Sequence, residues 1–415
     1  MKLKAKSVLQ VMAVVYVLFF NQTILAEEGK NVIVFDQICE IVEDNFYDNA
    51  LVKEQLLPIK DNFRKEIAKT KSSEEFSVLV NQFLSKLKTS HTSYFTSMDP
   101  EFYQLGSIFW RIPKIKALFN SKPVKYPSLG MFTEKIDGKT FVSCVLTGGP
   151  ADEGGVLRGD EILAIDGSPY SPIQTIQTKV GKQVSLSLRR EINGDVKSIV
   201  AIPKLISPKE EMLHAQQKSI RIIKKGKQKI GYIEIYSYAG EEYHEALVEA
   251  ISWGELNQAD ALIIDIRYGL GGANPSYLNL FNNKVPSIEA FGKSGNKHII
   301  DSQWRKPAVY LVNGKTRSGK EILAFGAKKF NLATVIGEKT AGAVTGGALF
   351  PLKNGALLYL AVEGCKVDGK VIEGEGVLPD ILVPEEIRYS KGKDMQLEKA
   401  IDFLVQKLQN PETVY

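Results

Sequence analysis

Apolar residues change their spacing three times along this chain of 415 residues, and each change predicts a different kind of element. Between residues 32 and 90, Val34, Ile38, Ile41/Val42 and Phe46 recur at helical spacing. Ser72 and Glu75 then form a capping-box pattern ahead of Phe76, Leu79/Val80, Phe83/Leu84 and Leu87, which predicts a second helix. Between residues 130 and 204 the pattern shortens to alternation broken by glycine turns. Its clearest strands are Phe141–Leu146, Glu161–Ile165 and Val184–Leu188. From Ile230 onward, predicted strands at Gly231–Ile235, Ala261–Ile266, Ala308–Val312, Ala333–Ile336 and Ala356–Ala361 mix with helices at Glu242–Trp253 and Glu321–Lys329. That mixture predicts a layered sheet with helices packed on it. A last amphipathic helix, Met395–Leu408, presents Leu397, Ile401, Leu404/Val405 and Leu408 on one side.

At the N-terminus, Lys2, Lys4 and Lys6 precede an apolar run from Val8 to Phe20, and a short polar stretch closes at Ala26. This is the layout of a secretory signal segment, and the run is short for a membrane span. It predicts a periplasmic or secreted protein. Ile24 stands three residues before the expected cut, so membrane association would come only through an uncleaved N-terminal segment. The divisions that follow are a signal segment at 1–26 and a helical segment at 27–108. A connector with the β module spans 109–205, an α/β core 206–392 and a C-terminal helix 393–415.

Loss of the signal segment removes three lysines and no acidic residue, taking the formal charge from +5 to +2. The basic balance is then partly a targeting feature and gives no argument for nucleic acid. Cys39, Cys144 and Cys365 are far apart, so one disulfide is the most they predict, and no pair has metal-ligand spacing. With four histidines in the chain, no metal or other cofactor is expected.

The strongest chemical signal is Ser318, in Val312-Asn313-Gly314-Lys315-Thr316-Arg317-Ser318-Gly319-Lys320-Glu321. A predicted strand ends, a small loop follows, and a helix begins. A hydroxyl at such a turn is open to attack, and the N–H after it is positioned for a developing oxyanion.

Two resemblances extend this reading. Gly148-Gly149-Pro150-Ala151, Arg158-Gly159-Asp160-Glu161 and Ile165-Asp166-Gly167 resemble the central stretch of a PDZ domain. PDZ domains bind extended chain ends by strand addition. The resemblance implies a carboxylate loop at Ser128-Leu129-Gly130-Met131, making Leu129, Gly130 and Met131 the candidate peptide-binding residues.

The α/β part resembles the C-terminal processing (tail-specific) serine peptidases. That implies a crotonase/ClpP-like core with an inserted PDZ-like module and a helical N-terminal segment, an α+β multidomain fold. Leu262-Ile263-Ile264-Asp265-Ile266-Arg267-Tyr268-Gly269-Leu270-Gly271-Gly272 is similar to the family's strand and glycine loop, with Tyr268-Gly269 where the family has Gly-Asn and Leu270 replacing a glycine. It implies Gly271 as one oxyanion donor, with Gly272 as the alternative; Ser318 aligns with the nucleophile, and Gly319 supplies the second donor. In the branch with a serine–lysine dyad the base lies 25 positions after the nucleophile. That position is Ala343, which cannot take a proton. The tricorn-like branch instead uses a histidine, and Leu87-Lys88-Thr89-Ser90-His91-Thr92 resembles its loop. The resemblance then implies His91 as base, assisted by Ser90, with Glu373 as the acidic member and Glu375 its competitor.

Lys315, Lys320 and Lys339 are near Ser318 in sequence, but a lysine base needs burial to lower its pKa, and all three read as solvated charges. His214, His244 and His298 read as surface or packing residues. Tyr232, Tyr236 and Tyr238 share parity, so an extended chain would point them to one side. The function implied is a serine endopeptidase acting on extended or unfolded polypeptides. The alternative, motivated by Ala343, is an inactive peptide-binding scaffold. Oligomerisation is compatible with either.

Overall fold

The computed structural model describes residues 29–410, so the signal segment and the cut after Ala26 lie outside the described residues. The chain divides into two compact units.

One unit comprises the described residues up to Ser97 with Arg111–Ser121 and Thr345–Gly364. A helix at 29–45 packs against the helices Leu57–Ile67 and Ser73–Leu84 around Phe35, Ile38, Phe76, Val80 and Phe83. The Ser72 hydroxyl accepts from the Glu75 N–H at 3.1 Å, as the capping pattern predicts. The Glu75 carboxylate reaches back to the N–H of Lys71 at 2.7 Å, one residue beyond the cap. This unit also contains a three-stranded antiparallel sheet, Ser93–Phe95, Leu357–Glu363 and Gly346–Pro351. The strand expected at Ala356–Ala361 in the α/β core is therefore part of this sheet. Its leucines 358 and 360 are buried against the N-terminal helices. Residues 98–108, read as part of the helical N-terminal segment, belong to the other unit, and Arg111–Ser121 contains the short helix Pro113–Leu118.

The second unit comprises Met98–Trp110, Lys122–Val344 and the described residues from Cys365 onward. Its β module is a five-stranded antiparallel sheet in the order Met131–Ile136, Lys139–Val145, Glu161–Ile165, Val184–Arg189 and Val196–Ala201. Alternate residues Val184, Leu186 and Leu188 fill its core, which is the period-two signal of the sequence made physical.

The larger sheet has six strands: β1 Arg221–Lys225, β2 Gln228–Glu234, β3 Ala261–Asp265, β4 Ala308–Val312, β5 Thr334–Gly337 and β6 Ile381–Leu382. Their order is β6-β5-β4-β3-β2-β1, parallel except at the β1–β2 edge. Strands β3 and β4 are buried on both faces, which explains their unbroken apolar sequences. Helices α1 Pro208–Ser219, α2 Glu242–Ser252 and α3 Gly319–Lys329 contribute to the core on one side, and α4 Met395–Gln409 covers the other. The three tyrosines do not share a side. Tyr232 packs with Ile230 beneath α4, whereas Tyr236 and Tyr238 join the opposite core, because strand β2 ends at Glu234 and alternation ends with it.

The two parts of this unit are joined by charge and close packing. Arg158 Nη2 donates to Glu385 Oε1 at 2.9 Å, and Tyr389 Oη donates to Glu161 Oε2 at 2.8 Å. A Cβ at Gly159 would lie 2.5 Å from the Ile387 carbonyl, so the tight Gly159-Asp160 turn seats directly on the 387–390 segment.

Candidate active site

The loops after β3 and β4 leave the carboxyl ends of neighbouring parallel strands, where open α/β sheets place their ligands. Ser318 sits at the start of α3 with φ 56° and ψ −132°, an uncommon conformation for a residue with a side chain. Three contacts hold it there. Its N–H donates to the Ala343 carbonyl at 2.8 Å and to Glu321 Oε2 at 3.2 Å, while its carbonyl accepts from the Glu321 N–H at 2.8 Å.

Glu321, fully buried, is the anchor of this turn. Its carboxylate also accepts from Thr340 Oγ1 at 2.6 Å and from the N–H groups of Gly342 and Ala343, each at 2.7 Å. Burial raises its pKa, and these donors oppose the rise. The serine-to-glutamate spacing is the signal that could have revealed this anchor from sequence.

Against Ser318 lies bare backbone. A Cβ at Gly271 would fall 2.4 Å from Ser318 Cβ and 2.9 Å from its Oγ. One at Gly319 would fall 2.3 Å from the Ala273 nitrogen. Only glycine allows this approach of the two loops. Among the described residues, the N–H groups of Gly271 and Gly319 have no hydrogen-bond acceptor. Two unspent donors beside a hydroxyl can stabilise a tetrahedral oxyanion. Gly272 faces elsewhere: a Cβ there would lie 2.9 Å from Ala239 Cα.

Ala343, at the position of the dyad lysine, is buried and its backbone braces the serine loop. Of the nearby lysines, Lys315 is half exposed at 3.2 Å from Glu134, and Lys339 is exposed. Lys320 overturns the expectation of a solvated charge. It is 1% exposed, and its Nζ donates to the carbonyls of Ile235 at 2.6 Å and Tyr268 at 2.5 Å. Burial lowers its pKa to about 7, against the raising effect of the nearby acids Asp265 and Glu234. The second residue of a helix is usually at the surface, so nothing in the local pattern marks this burial.

Beneath the β3 loop, Arg267 pairs with Asp265 at 2.6 Å and with Asp394 at 2.5 Å, tying the loop to the start of α4. Burial pushes the Asp394 carboxyl up, but the guanidinium outweighs it and holds the pKa at about 2.

The candidate base lies in the first unit. His91 has φ 53°, and its Nδ1 lies 2.9 Å from Ser90 Oγ and 3.1 Å from Thr345 Oγ1. Those two hydroxyls are 2.9 Å apart, and the imidazole stands edge-on to Tyr359 at 5.0 Å. Thr345 carries no sequence signal, because its partner is 254 positions away. In the second unit, Glu373 Oε2 accepts from the Val344 N–H at 2.8 Å, whereas Glu375 is exposed.

In the β module, Leu129 is buried and its carbonyl accepts from the Ala151 N–H at 2.8 Å. Gly130 turns with φ 70°, its N–H on Ser128 Oγ at 2.9 Å. Met131 opens the edge strand of the sheet, the place where strand addition occurs. His214 and His298 are exposed, and His244 stacks on Tyr277 with ring centroids 3.9 Å apart. All three cysteines are free thiols rather than a bridged pair. Among the described residues, no cluster of His, Cys, Asp and Glu could hold a metal ion, and no helix is long and apolar enough to cross a membrane.

Residues 229–383 match peptidase family S41, and residues 141–190 match the PDZ domain family. The S41 match covers less than half of the chain, so what it describes is the stretch 229–383. The S41-matching stretch carries both Ser318 and the glycine loop, and the PDZ match falls within the five-stranded module. The carboxy-terminal processing protease CtpA of Bacillus subtilis is 27% identical over 271 residues, covering 62% of this chain and 56% of that protein. The carboxyl-terminal-processing protease of Synechocystis is 27% identical over 277 residues, covering 62% of this chain and 63% of that protein. The match thus spans less than two thirds of the length of these relatives. The crystal structure of the tricorn protease shares the fold at a TM-score of 0.55 and 19% identity, covering 92% of this chain and 37% of that one.

Proposed function

We propose that this protein is an S41-type serine endopeptidase that cleaves extended or unfolded polypeptides outside the cytoplasm, in the periplasm or the medium. The observation that carries the reading is the approach of the bare Gly271 backbone to Ser318, with the Gly271 and Gly319 N–H groups unspent. Ser318 Oγ attacks the scissile carbonyl and its proton passes to His91 Nε2. The Gly271 and Gly319 N–H groups receive the oxyanion. Collapse releases the amine with a proton from His91, and water then cleaves the acyl-enzyme by the same route. A proton on Nδ1 finds acceptors in the hydroxyls of Ser90 and Thr345, which supports Nε2 as the basic nitrogen. Glu373 is the acidic member of this tricorn-like arrangement.

The PDZ module would engage the substrate tail along its edge strand, with Leu129, Gly130 and Met131 at the carboxylate end. One observation favours a second reading, an inactive peptide-binding scaffold: the dyad lysine position is a buried alanine. Incubation of the mature protein with a mixture of unfolded polypeptides, read by mass spectrometry, separates the two. Cleavage that disappears in Ser318→Ala and His91→Ala, both folded, supports the peptidase. No cleavage, together with saturable binding of peptide ends to the PDZ module, supports the scaffold.

A further inference from the structure

A fully buried ammonium is costly; among the described residues no carboxylate is hydrogen-bonded to Lys320, and the nearby Asp265 and Glu234 offset only part of the cost. Lys320 also lies at the second position of α3, where the helix dipole disfavours a cation. Its hydrogen-bond partners are two backbone carbonyls, one at the end of β2 and one in the loop after β3. We propose that Lys320 is a positioning residue for the candidate reaction, setting the oxyanion loop against Ser318 by pinning the carbonyls of Ile235 and Tyr268.

The geometry of the loop gives this pin its effect. Tyr268 is followed by Gly269, whose φ of 83° turns the chain, and the Leu270 N–H donates to the Tyr236 carbonyl at 2.6 Å. The Gly271 carbonyl accepts from the Tyr238 N–H at 2.9 Å. The peptide unit carrying the Gly271 N–H is thus fixed from both sides, with the Lys320–Tyr268 bond at the loop's entrance. Lys320 starts two residues after the nucleophile, so one side chain ties the helix bearing Ser318 to both strand ends. Without it, two buried carbonyls lose their donor and are driven to turn elsewhere.

The inference rests on the peptidase reading, and its test separates the two. Kinetics on an unfolded polypeptide and hydrogen exchange by mass spectrometry are compared for the wild type, Lys320→Met and Lys320→Gln. The glutamine variant retains an amide donor at shorter reach. The expected result is a kcat reduced by roughly 10²-fold in Lys320→Met, less in Lys320→Gln, with KM within about twofold of wild type. Exchange should accelerate at residues 269–272 and stay unchanged in the PDZ strands. Unchanged kcat in either folded variant, or a loss carried by KM without faster exchange at 269–272, would overturn the positioning role and leave the peptidase reading intact. Failure of both variants to fold would also overturn it, marking Lys320 as a folding determinant. A wild-type protein that cleaves nothing would overturn the peptidase reading and this inference together.

Discussion

Gly271 and Ser318 approach so closely that a methyl group on the glycine would fall 2.4 Å from the serine Cβ. Real Cβ contacts do not reach that distance, so Gly271→Ala must displace one loop or the other. We expect kcat/KM to fall by at least about 10²-fold, the effect of losing one oxyanion donor. Thermal unfolding should change by only a few degrees, since the loop is partly exposed. Normal kinetics in this variant would remove Gly271 from the oxyanion site.

Glu321 gathers four donors from the serine loop and the 340–343 segment. Glu321→Gln replaces one acceptor oxygen with an amide that faces those donors. The predicted cost is about 2–4 kcal/mol of stability by urea unfolding, the loss of buried charge-assisted hydrogen bonds. Activity should fall with it, because the same carboxylate holds the Ser318 N–H.

Lys320 should leave a mark on the pH dependence of stability. Its pKa is lowered from 10.5 to about 7 in the folded state, so between those values the unfolded chain binds the extra proton. Stability therefore rises with pH across that window, and the full penalty is present below about pH 7. The expected rise is on the order of 5 kcal/mol, since each tenfold difference in proton affinity between the folded and unfolded chain is worth about 1.4 kcal/mol. Lys320→Met should flatten this part of the curve, as read by urea midpoints from about pH 6 to 10.

The Arg267–Asp394 pair acts at the other end of the scale. Asp394 is held near 2 from an ordinary 3.8, so its contribution is complete above about pH 4 and is lost as pH falls through 2. Asp394→Asn leaves the buried guanidinium with Asp265 as its remaining carboxylate. We expect roughly 3 kcal/mol of destabilisation at neutral pH, with a correspondingly weaker acid dependence.

The fold class was legible because its signals are local. Unbroken apolar runs mark β3 and β4, alternation marks the PDZ strands, and Gly159-Asp160 marks their turn. The place of Ser318 in the fold was legible for the same reason, as a hydroxyl three residues before Glu321 at a helix start. What sequence could not show depends on residues far apart in the chain. The strand at Leu357–Glu363 reads like any core strand, but its pairing with Ser93–Phe95 places it in the N-terminal unit. Thr345 meets His91 only through the fold. Lys320 sits where lysines are normally solvated, and its side chain is met by two segments distant in sequence, the end of β2 at Ile235 and the β3 loop at Tyr268.

The central claim is that Ser318 is a nucleophile activated by His91, and reaction with a fluorophosphonate probe tests it most directly. The account predicts one adduct per chain, mapped to Ser318 by peptide mass spectrometry and absent in Ser318→Ala. Labelling in His91→Ala should be slowed by about 10³-fold or more, with folding retained. An adduct on another residue, no adduct at all, or wild-type labelling rates in His91→Ala would contradict it.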